Sequence, residues 1–451
     1  MQTQRDHVHA HQFMMGRLSS ALVEGDPSNA QVPGRRALTG LTVGVLLAVL
    51  VIGGFGVYGW IVPGGSSVYK QDSVILVEKE SGTRYVYLDG LLHPTANLTS
   101  AMLIQGDRAQ VKLISKASLR DLPRGGTLGI AGAPQSVPTD ALVAGPWLTC
   151  LPGSVVDDPG PGVGVNLDPR AVSVPLPADR FTVVRGQDDV VYLLAHGRRL
   201  RVTDDAVLVA LGASTARVVR APQMWLAWIP AGPALGPPDI PGAGEPGPVI
   251  GGRSYRVGTL FHQRAASGAE QLLVLRKDGL AAISRTEFMV AEAANDTSPV
   301  ELDAAQLVDA PKSADRSLTN RLPDLTGLTW YDPGDLVLCL RQAPVSAQEV
   351  GSTLVYAARA QSGVDANGGV STLVAPGSGM AVVPVPLQQR SEPQVSFISE
   401  EGTVYALAGD DSVRALKLDK AGLVPFPKSL LGALRQGPLL SREAIHGLAT
   451  G

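Results

Sequence analysis

The stretch from Leu41 to Val62 contains no charged residue and no proline. At a rise of about 1.5 Å per residue, a helix of this length reaches about 33 Å, which is enough to cross a hydrocarbon core of about 30 Å. A helix also satisfies its own backbone hydrogen bonds, as lipid requires. Tyr58 and Trp60 lie near its end, where amphipathic rings favour the membrane interface. The stretch therefore predicts a transmembrane helix, anchored at that end by two aromatic residues.

The charges around this stretch predict its orientation. Arg35 and Arg36 precede it, whereas the first basic residue after it is Lys70. The positive-inside rule then places residues 1–40 in the cytoplasm and the chain beyond about residue 63 outside. The alternative is a cleaved signal peptide, but the apolar run exceeds the 7–15 residues of a typical signal and its lead-in of about 40 residues is long. We expect a single-pass protein of the cell membrane, most of which is extracytoplasmic.

The composition limits what the external part can be. A formal net charge of −3 argues against a nucleic-acid partner, which requires a strongly basic face. The chain contains 51 glycines and 34 prolines. That share is above the usual one and predicts many turns and short elements rather than long helices.

The two cysteines, Cys150 and Cys339, both lie outside by this topology, in a compartment that permits a disulfide. Without a third or fourth soft ligand they make a poor zinc site. We expect a bond between them; the alternative is two buried free thiols. The bond would close a loop of 189 residues (339 minus 150) and constrain the unfolded chain by about 5 kcal/mol in the chain-entropy model.

The cytoplasmic arm contains a run with helical periodicity from Gln12 to Val23, which Gly25-Asp26-Pro27 ends. A run this short cannot bury an apolar face by itself. The face must therefore rest on the membrane or on a partner. The residues that we expect to dock a partner are Phe13, Met14, Arg17, Leu18 and Leu22.

A hairpin pattern of Tyr, Val and Leu that ends near a glycine recurs four times beyond the span. A short strand and a helical stretch follow it, which predicts four copies of a strand–turn–strand–helix unit in an α+β fold. The alternative is that this pattern describes any hairpin. The four hairpins lie at 85–90, 191–197, 272–279 and 404–410, and helical stretches are expected at 97–103, 206–212, 284–290 and 427–434.

Strands around Trp147–Cys150 and Leu336–Leu340 are expected to form a central β-sheet, with the modules around it as two related pairs. A segment rich in proline and glycine predicts a solvated linker that divides the first two modules from the last two. The predicted organisation is a cytoplasmic arm 1–40, the span 41–62, module 1 at 63–135, the first part of the central sheet at 136–180, module 2 at 181–228, the linker at 229–252, module 3 at 253–310, the second part of the central sheet at 311–390, and module 4 with the tail at 391–451.

The sequence contains little that indicates catalysis. It has no P-loop, because no Gly-Lys dipeptide occurs, and it has no H-E-x-x-H, C-x-x-C or G-x-S-x-G motif. The glycine-rich run 125–129 is not followed by a helix that could present its N-terminus to phosphate, so we interpret it as a structural turn. Lone histidines such as His93 are more often packed than catalytic. Pairs of aspartates at 157–158, 188–189, 204–205 and 410–411 fit solvated turns. We therefore expect no catalytic, cofactor-binding or metal-binding residue.

Motifs along nearly the whole chain match one known family. They include His11-Gln12-Phe13, Arg17, Ala21-Leu22-Val23, Asp26, Arg35-Arg36, Pro63-Gly64-Gly65, the run from Gly82 to Gly90, Leu92-His93-Pro94, Asn97, Ser100-Ala101, Pro123-Arg124-Gly125, the run from Gly129 to Pro134, the cysteine pair, and the run from Gly437 to Ser441. On these motifs the sequence resembles the EccB family, membrane-anchored core components of type VII (ESX) secretion systems.

The resemblance implies a single-pass subunit of a secretion complex. It implies as partners an EccC-type motor ATPase, EccD, EccE, a mycosin protease and further copies of the same chain. It also implies four repeat modules about a central sheet, bridged by a disulfide. Because clustered titratable residues are absent from the sequence, we expect a structural scaffold that oligomerises over the pore. The alternatives are an outward-facing ATP-hydrolysing enzyme, as the family is sometimes labelled, and a cell-wall-binding module.

Overall fold

The structure is a computed structural model that describes residues 4–25, 35–61, 67–265, 268–295, 298–386, 394–420 and 422–449. Two helices come first, α1 (Gln4–Glu24) and α2 (Arg35–Ile61). Each begins earlier than predicted, α1 by eight residues and α2 by six. The reason at α2 is local, because the residues from Arg35 to Leu41 include no proline and are mostly good helix formers.

Module 1 follows a short 3-10 turn, Ser67–Lys70. It consists of β1 (Val74–Glu78), β2 (Arg84–Leu88), β3 (Leu91–Pro94), α3 (Leu98–Gln105), β4 (Gln110–Ile114) and α4 (Lys116–Leu119). The strand order is β3-β2-β1-β4, in which β1, β2 and β3 are antiparallel and β4 is parallel to β1. Asn97 begins α3 as its N-cap, since its side chain accepts a hydrogen bond from the Ser100 backbone N–H at 2.7 Å.

The next part of the chain forms three strands of a central sheet, followed by module 2. The central strands are β5 (Trp147–Cys150), β6 (Gly164–Asn166) and β7 (Val174–Pro175). Module 2 consists of β8 (Arg180–Arg185), β9 (Val191–Ala195), β10 (Arg198–Arg201), α5 (Ala206–Ala210), β11 (Val219–Arg220) and α6 (Gln223–Leu226). Its sheet repeats the topology of module 1, with order β10-β9-β8-β11 and β11 parallel to β8.

A hairpin of β12 (Pro246–Ile250) and β13 (Arg253–Arg256) precedes module 3. Module 3 consists of β14 (Leu260–Arg264), β15 (Glu270–Arg276), β16 (Gly279–Ala282), α7 (Arg285–Ala294), β17 (Val300–Glu301) and α8 (Ala304–Asp309). The same order recurs, β16-β15-β14-β17. A short strand, β18 (Thr329–Trp330), then pairs with β8 of module 2.

The second part of the central sheet comes next, with β19 (Val337–Ser346), β20 (Glu349–Ala357), the helical turn α9 (Arg359–Ser362) and β21 (Thr372–Leu373). The complete central sheet has the order β21-β6-β5-β19-β20-β7. The two predicted central strands, at 147–150 and 336–340, therefore become the neighbouring strands β5 and β19. They pair antiparallel over four residue positions, from Cys339 opposite Cys150 to Gln342 opposite Trp147.

Module 4 closes the chain. It consists of β22 (Met380–Val385), β23 (Ser396–Ile398), β24 (Thr403–Ala408), α10 (Gly409–Ala415), β25 (Val424–Pro427), α11 (Lys428–Ala433), β26 (Arg435–Gln436), β27 (Leu440–Ser441) and α12 (Arg442–Ala449). Its order is β25-β22-β23-β24-β26, again with the fourth strand, β25, parallel to the first. The structure thus confirms an α+β fold of four modules around a central sheet.

The fourth module differs from its predicted layout in two ways. In the other modules the hairpin pattern lies on the second strand. In module 4 the residues at 404–410 instead form the third strand, β24, and the start of α10, because the second strand, β23, has only three residues. The predicted helical stretch at 427–434 is α11, which follows the fourth strand as α4, α6 and α8 do in the other modules. In addition, β22 at 380–385 was predicted to lie in the central sheet, but it pairs with β23 and β25.

The predicted linker divides modules 1 and 2 from modules 3 and 4 in the chain, but the modules pack in a different grouping. Module 1 packs on module 4 through one core that contains Ile75, Leu103, Phe397, Leu416 and Ile445. Module 2 packs on module 3 through a core that includes Val207 of α5 and Val290 of α7. The pairs are therefore first with fourth and second with third, because the chain returns through the central sheet between them.

The predicted linker at 229–252 is not fully solvated. Leu235 is fully buried in the core of module 2. Parallel bridges join Ala231 to Arg199 of β10 and Leu235 to Val202, just after β10. Pro246–Ile250 forms β12. Proline does not prevent this arrangement, because a proline carbonyl can still accept, as Pro230 does from the Arg199 N–H at 2.9 Å.

Candidate membrane anchor and partner-binding surfaces

Helix α2 presents an apolar surface that nothing in the described protein covers. The window Ala37–Gly59, of 23 residues, has a mean hydropathy of 2.4, and none of it is buried against the rest of the molecule. Leu41 and Tyr58, two of the predicted anchor residues, are 68% and 66% exposed. By length and composition α2 suits a membrane span. Outside what the structure describes lie Val62 and the side chains of Arg35, Arg36 and Trp60.

Helix α1 carries the side chains predicted to dock a partner, and it leaves their apolar members exposed. Phe13, Met14, Leu18 and Leu22 are 56%, 66%, 58% and 80% exposed. The Arg17 guanidinium carbon lies 5.7 Å from the centre of the Phe13 ring, one turn away. The structure therefore brings all five onto one solvent-facing helix.

Two further apolar residues of α1 were not singled out from the sequence. Val8 and Met15 are 54% and 58% exposed. Val8, Met15 and Leu22 are spaced by seven residues, so they share one face of the helix. The heptad spacing was visible in the sequence, but the helical run was predicted to start only at Gln12.

The two cysteines form a disulfide that joins β5 to β19. Cys150 and Cys339 lie directly opposite each other, with their Cα atoms 4.0 Å apart, and both are fully buried. They pack in a small core with Leu148, Val337 and Val355. Because modules 2 and 3 lie between the two cysteines in the chain, the bond closes the loop that contains both modules.

Buried polar groups fasten module 2 to the central sheet beside this bond. Gln342 Oε1 accepts hydrogen bonds from Trp147 Nε1 at 3.1 Å and from Thr149 Oγ1 at 2.8 Å. Trp225 of α6 donates from Nε1 to the Thr149 carbonyl at 2.8 Å. The polar ends of both buried indoles are therefore satisfied, as burial requires.

An ion pair fastens module 3 to the segment that follows it. Glu287 of α7 is fully buried, and its two carboxylate oxygens each accept a hydrogen bond from Arg321, from Nε and from Nη2, at 2.6 Å. Arg321 also donates to the carbonyl of Gly236 at 2.8 Å. Arg321 thus joins its own segment to α7 by a bidentate ion pair and to the predicted linker segment by a hydrogen bond at Gly236. Sequence reasoning missed it, because the partners are 34 residues apart.

The side chains that might have indicated chemistry have structural partners. A Cβ at Gly125 would lie 2.2 Å from Cε1 of His93, and His93 Nδ1 lies 2.9 Å from the Gly126 carbonyl oxygen. The glycine-rich run is therefore the place where the chain passes over this histidine. Across the described ranges, no group of three or more His, Cys, Asp or Glu side chains is arranged to hold a metal ion.

The aspartate pairs of the sequence are likewise engaged locally. The Asp204 carboxylate accepts from the Ala206 backbone N–H at 2.8 Å. Asp157 lies 3.7 Å from Arg217, and Asp189 lies 3.6 Å from Arg220, both at exposed positions. Such turn contacts and surface ion pairs contribute little to stability and indicate no reaction.

Among the groups with displaced pKa values, Tyr356 and Asp168 show two different physical causes. Burial between the central sheet and module 2 raises the pKa of Tyr356 from its ordinary 10.0 to about 12, because the charged phenolate would lose its hydration. A side-chain hydrogen bond from Arg170, opposed by a smaller effect of burial, lowers the pKa of Asp168. Each shift thus has a local structural cause, burial for Tyr356 and the Arg170 contact for Asp168.

The family model for "Type VII secretion system ESX-1, transport TM domain B" matches residues 1–447. The chain belongs to the EccB family. This confirms the resemblance drawn from the sequence motifs. A curated EccB family relative from Mycolicibacterium smegmatis, named ESX-1 secretion system ATPase EccB1, is 27% identical over 470 residues, covering 98% of this chain and 94% of the relative. The counterpart from Mycobacterium tuberculosis is 26% identical over 463 residues, with the same coverage.

Solved EccB structures have the same fold. An EccB3 dimer from the ESX-3 core complex is 25% identical, with a TM-score of 0.58, covering 82% of this chain and 98% of that one. A chain of an intact ESX-5 inner membrane complex is 23% identical, with a TM-score of 0.58, covering 98% and 95%. This EccB protein therefore shares its architecture with chains that were solved in membrane complexes.

Proposed function

We propose that this EccB protein is a structural, membrane-anchored core subunit of a type VII secretion complex. The observation that carries the proposal is the combination of one exposed apolar helix, α2, with a large body of four modules packed around a central sheet, in whose described part no side chains are grouped to hold a metal ion. A body of this kind is suited to hold position and to contact neighbours. Relatives solved as a dimer and within an ESX inner membrane complex support this role.

The proposed orientation places α1 in the cytoplasm and the four modules outside. It is supported by Arg35 and Arg36 before the span and by Lys70 as the first basic residue after it. The disulfide also suits an external compartment, because cytosolic thiols are kept reduced. Protease treatment of intact protoplasts tests this arrangement. Digestion should remove the part beyond residue 67 and spare α1; protection of the modules would contradict the proposal.

The proposed partners are an EccC-type motor ATPase, EccD, EccE, a mycosin protease and further copies of the chain. We expect α1 to dock a cytoplasmic or membrane partner through its exposed apolar face, since no described part of the chain covers it. Affinity purification in mild detergent, followed by mass spectrometry, tests the partner set. The variant Phe13→Ser/Leu18→Ser should lose partners while remaining in the membrane. Retention of every partner by this variant would contradict docking through α1.

The second candidate is nucleotide hydrolysis, because the curated relatives are named ATPases. In this sequence no P-loop is present to bind phosphates. ATP turnover by full-length protein, measured across a size-exclusion peak, separates the two candidates. Turnover that follows the protein peak at constant specific activity would favour the enzyme; turnover that separates from the peak would leave the structural role.

A further inference from the structure

Module 1 is held close to the end of the span by the chain itself. Helix α2 ends at Ile61, and the 3-10 turn of module 1 begins at Ser67. Tyr69 in that turn packs edge-on against Tyr87 of β2, with ring centres 5.2 Å apart. Because a chain extends by at most about 3.5 Å per residue, Ser67 lies within about 21 Å of Ile61. The surface of module 1 is therefore within reach of the lipid headgroups.

Strand β4 is a free edge of the module 1 sheet and carries exposed apolar side chains. It pairs with β1, and no described strand lies on its other side. Val111 and Leu113 are 52% and 64% exposed. The corresponding fourth strand of module 4, β25, is buried at all four positions, whereas β11 of module 2 and β17 of module 3 each have one exposed residue. An exposed apolar sheet edge indicates an interaction surface.

Four cationic residues lie in and beside β4 at intervals of four in the sequence, with Asp107 and Asp121 at the two ends of the run: Arg108, Lys112, Lys116 and Arg120. All four are exposed, and no aspartate or glutamate lies between the first and the last. Within the described ranges none of them forms a salt bridge. Glu80 accepts a hydrogen bond from the Lys116 backbone N–H at 2.9 Å, which leaves the Lys116 ammonium group out of that contact. We call residues 108–120 the basic edge.

The lysines of the chain also concentrate near the membrane. Lysine is rare in this sequence, yet four of its lysines lie between positions 70 and 116: Lys70, Lys79, Lys112 and Lys116. A flexible lysine stem covers apolar surface while its ammonium group stays among hydrated headgroups. A cation near an anionic lipid surface also gains attraction that extends over about a Debye length.

We propose that the basic edge binds anionic lipid headgroups of the leaflet from which module 1 emerges. The unpaired cations contact phosphate groups, and Val111 and Leu113 rest at the boundary of the acyl chains. This contact fixes module 1, and with it module 4 that packs on it, against the membrane surface. The proposal requires that α2 lies in the membrane; it does not depend on the proposed place in a secretion complex.

Site-specific fluorescence of the full-length protein in nanodiscs tests the proposal. The native cysteines are joined in the disulfide, so Leu113→Cys supplies a single thiol for an environment-sensitive dye. Val249→Cys on β12, at a position 57% exposed, is the matched control. With phosphatidylglycerol and nitroxide-labelled lipid in the disc, the dye at position 113 should be quenched and the dye at 249 should not. Equal quenching at both positions, or none at 113, would overturn the proposal.

Charge removal tests whether the headgroups are the ligand. Each cation near an anionic surface contributes about a fivefold factor to the ratio of docked to free module. Lys112→Gln/Lys116→Gln should therefore lower that ratio about 25-fold. Replacement of phosphatidylglycerol by phosphatidylcholine removes the attraction of all four cations and should lower it about 600-fold. The control Arg253→Gln/Arg341→Gln, at exposed positions on β13 and β19, should not change it. If the dye at 113 is shielded without lipid quenching and cross-links to a second copy, β4 pairs with protein and the lipid proposal is wrong.

Discussion

Breaking the disulfide between Cys150 and Cys339 is expected to lower the free energy of unfolding of the central sheet by about 5 kcal/mol. The bond closes a loop of 189 residues that contains modules 2 and 3. In the chain-entropy model, opening a loop of this size returns about 18 cal/mol/K to the unfolded chain, which is about 5 kcal/mol at 25 °C. The folded state loses little, because β5 and β19 stay paired through their backbone hydrogen bonds.

Urea unfolding with and without reductant measures this effect. Trp147 and Trp225 are both 1% exposed beside the central sheet, so their fluorescence reports on it. With a urea slope of about 3 kcal/mol/M, the loss of 5 kcal/mol lowers the midpoint by about 1.7 M. Cys150→Ala/Cys339→Ala is the control, and its midpoint should not respond to reductant. A shift below about 0.5 M in the native protein would refute the reasoning, because the loop would then constrain the unfolded chain far less than calculated.

Three further results are expected. Arg321→Met leaves Glu287 buried without its partner and should lower the free energy of unfolding by about 3 kcal/mol, whereas the double variant Glu287→Leu/Arg321→Met should recover most of that loss. Hydrogen exchange of α7 measures the stability of both variants. An equal loss in the single and the double variant would contradict the ion-pair account. Burial holds the pKa of Tyr356 at about 12, above its ordinary 10.0. The folded protein thus favours the neutral phenol. This contribution to the free energy of unfolding is fully present below pH 10, and up to about 3 kcal/mol of it is lost as the pH rises through 12. Tyr356→Phe should remove this part of the alkaline loss in thermal melts, and a pH profile unchanged by the substitution would contradict the prediction. Deletion of residues 1–34 should leave membrane insertion intact but dissolve the complex on a native gel, and a surviving complex would exclude docking through α1.

The repeat units show which features a local sequence pattern can predict and which it cannot. The hairpins at 85–90, 191–197 and 272–279 were found from the sequence because a buried strand followed by a glycine turn has a clear local pattern. In the fourth module the second strand, β23, has only three residues and shows no such pattern, so the sequence pattern identified the third strand, β24, instead. The order of strands in each sheet was not predicted, because the fourth strand pairs with the first across an intervening helix.

Of the two candidate surfaces, one was predicted from the sequence and the other was visible only in the structure. The exposed face of α1 followed from helical periodicity, apart from Val8 and Met15. The basic edge did not, because the spacing of its cations has meaning only once β4 is known to be an uncovered edge next to the span.

By itself, the sequence determined the long apolar segment that suits a membrane span, the pairing of the two cysteines, and the presence of repeated strand–helix units. These features depend on composition and on residues that are near neighbours in the chain. The tertiary structure alone decided that module 1 packs on module 4 and module 2 on module 3, and that Glu287 meets Arg321. The physical reason is that such contacts are chosen by which apolar faces remain uncovered after each module has formed, and that choice depends on the whole chain at once.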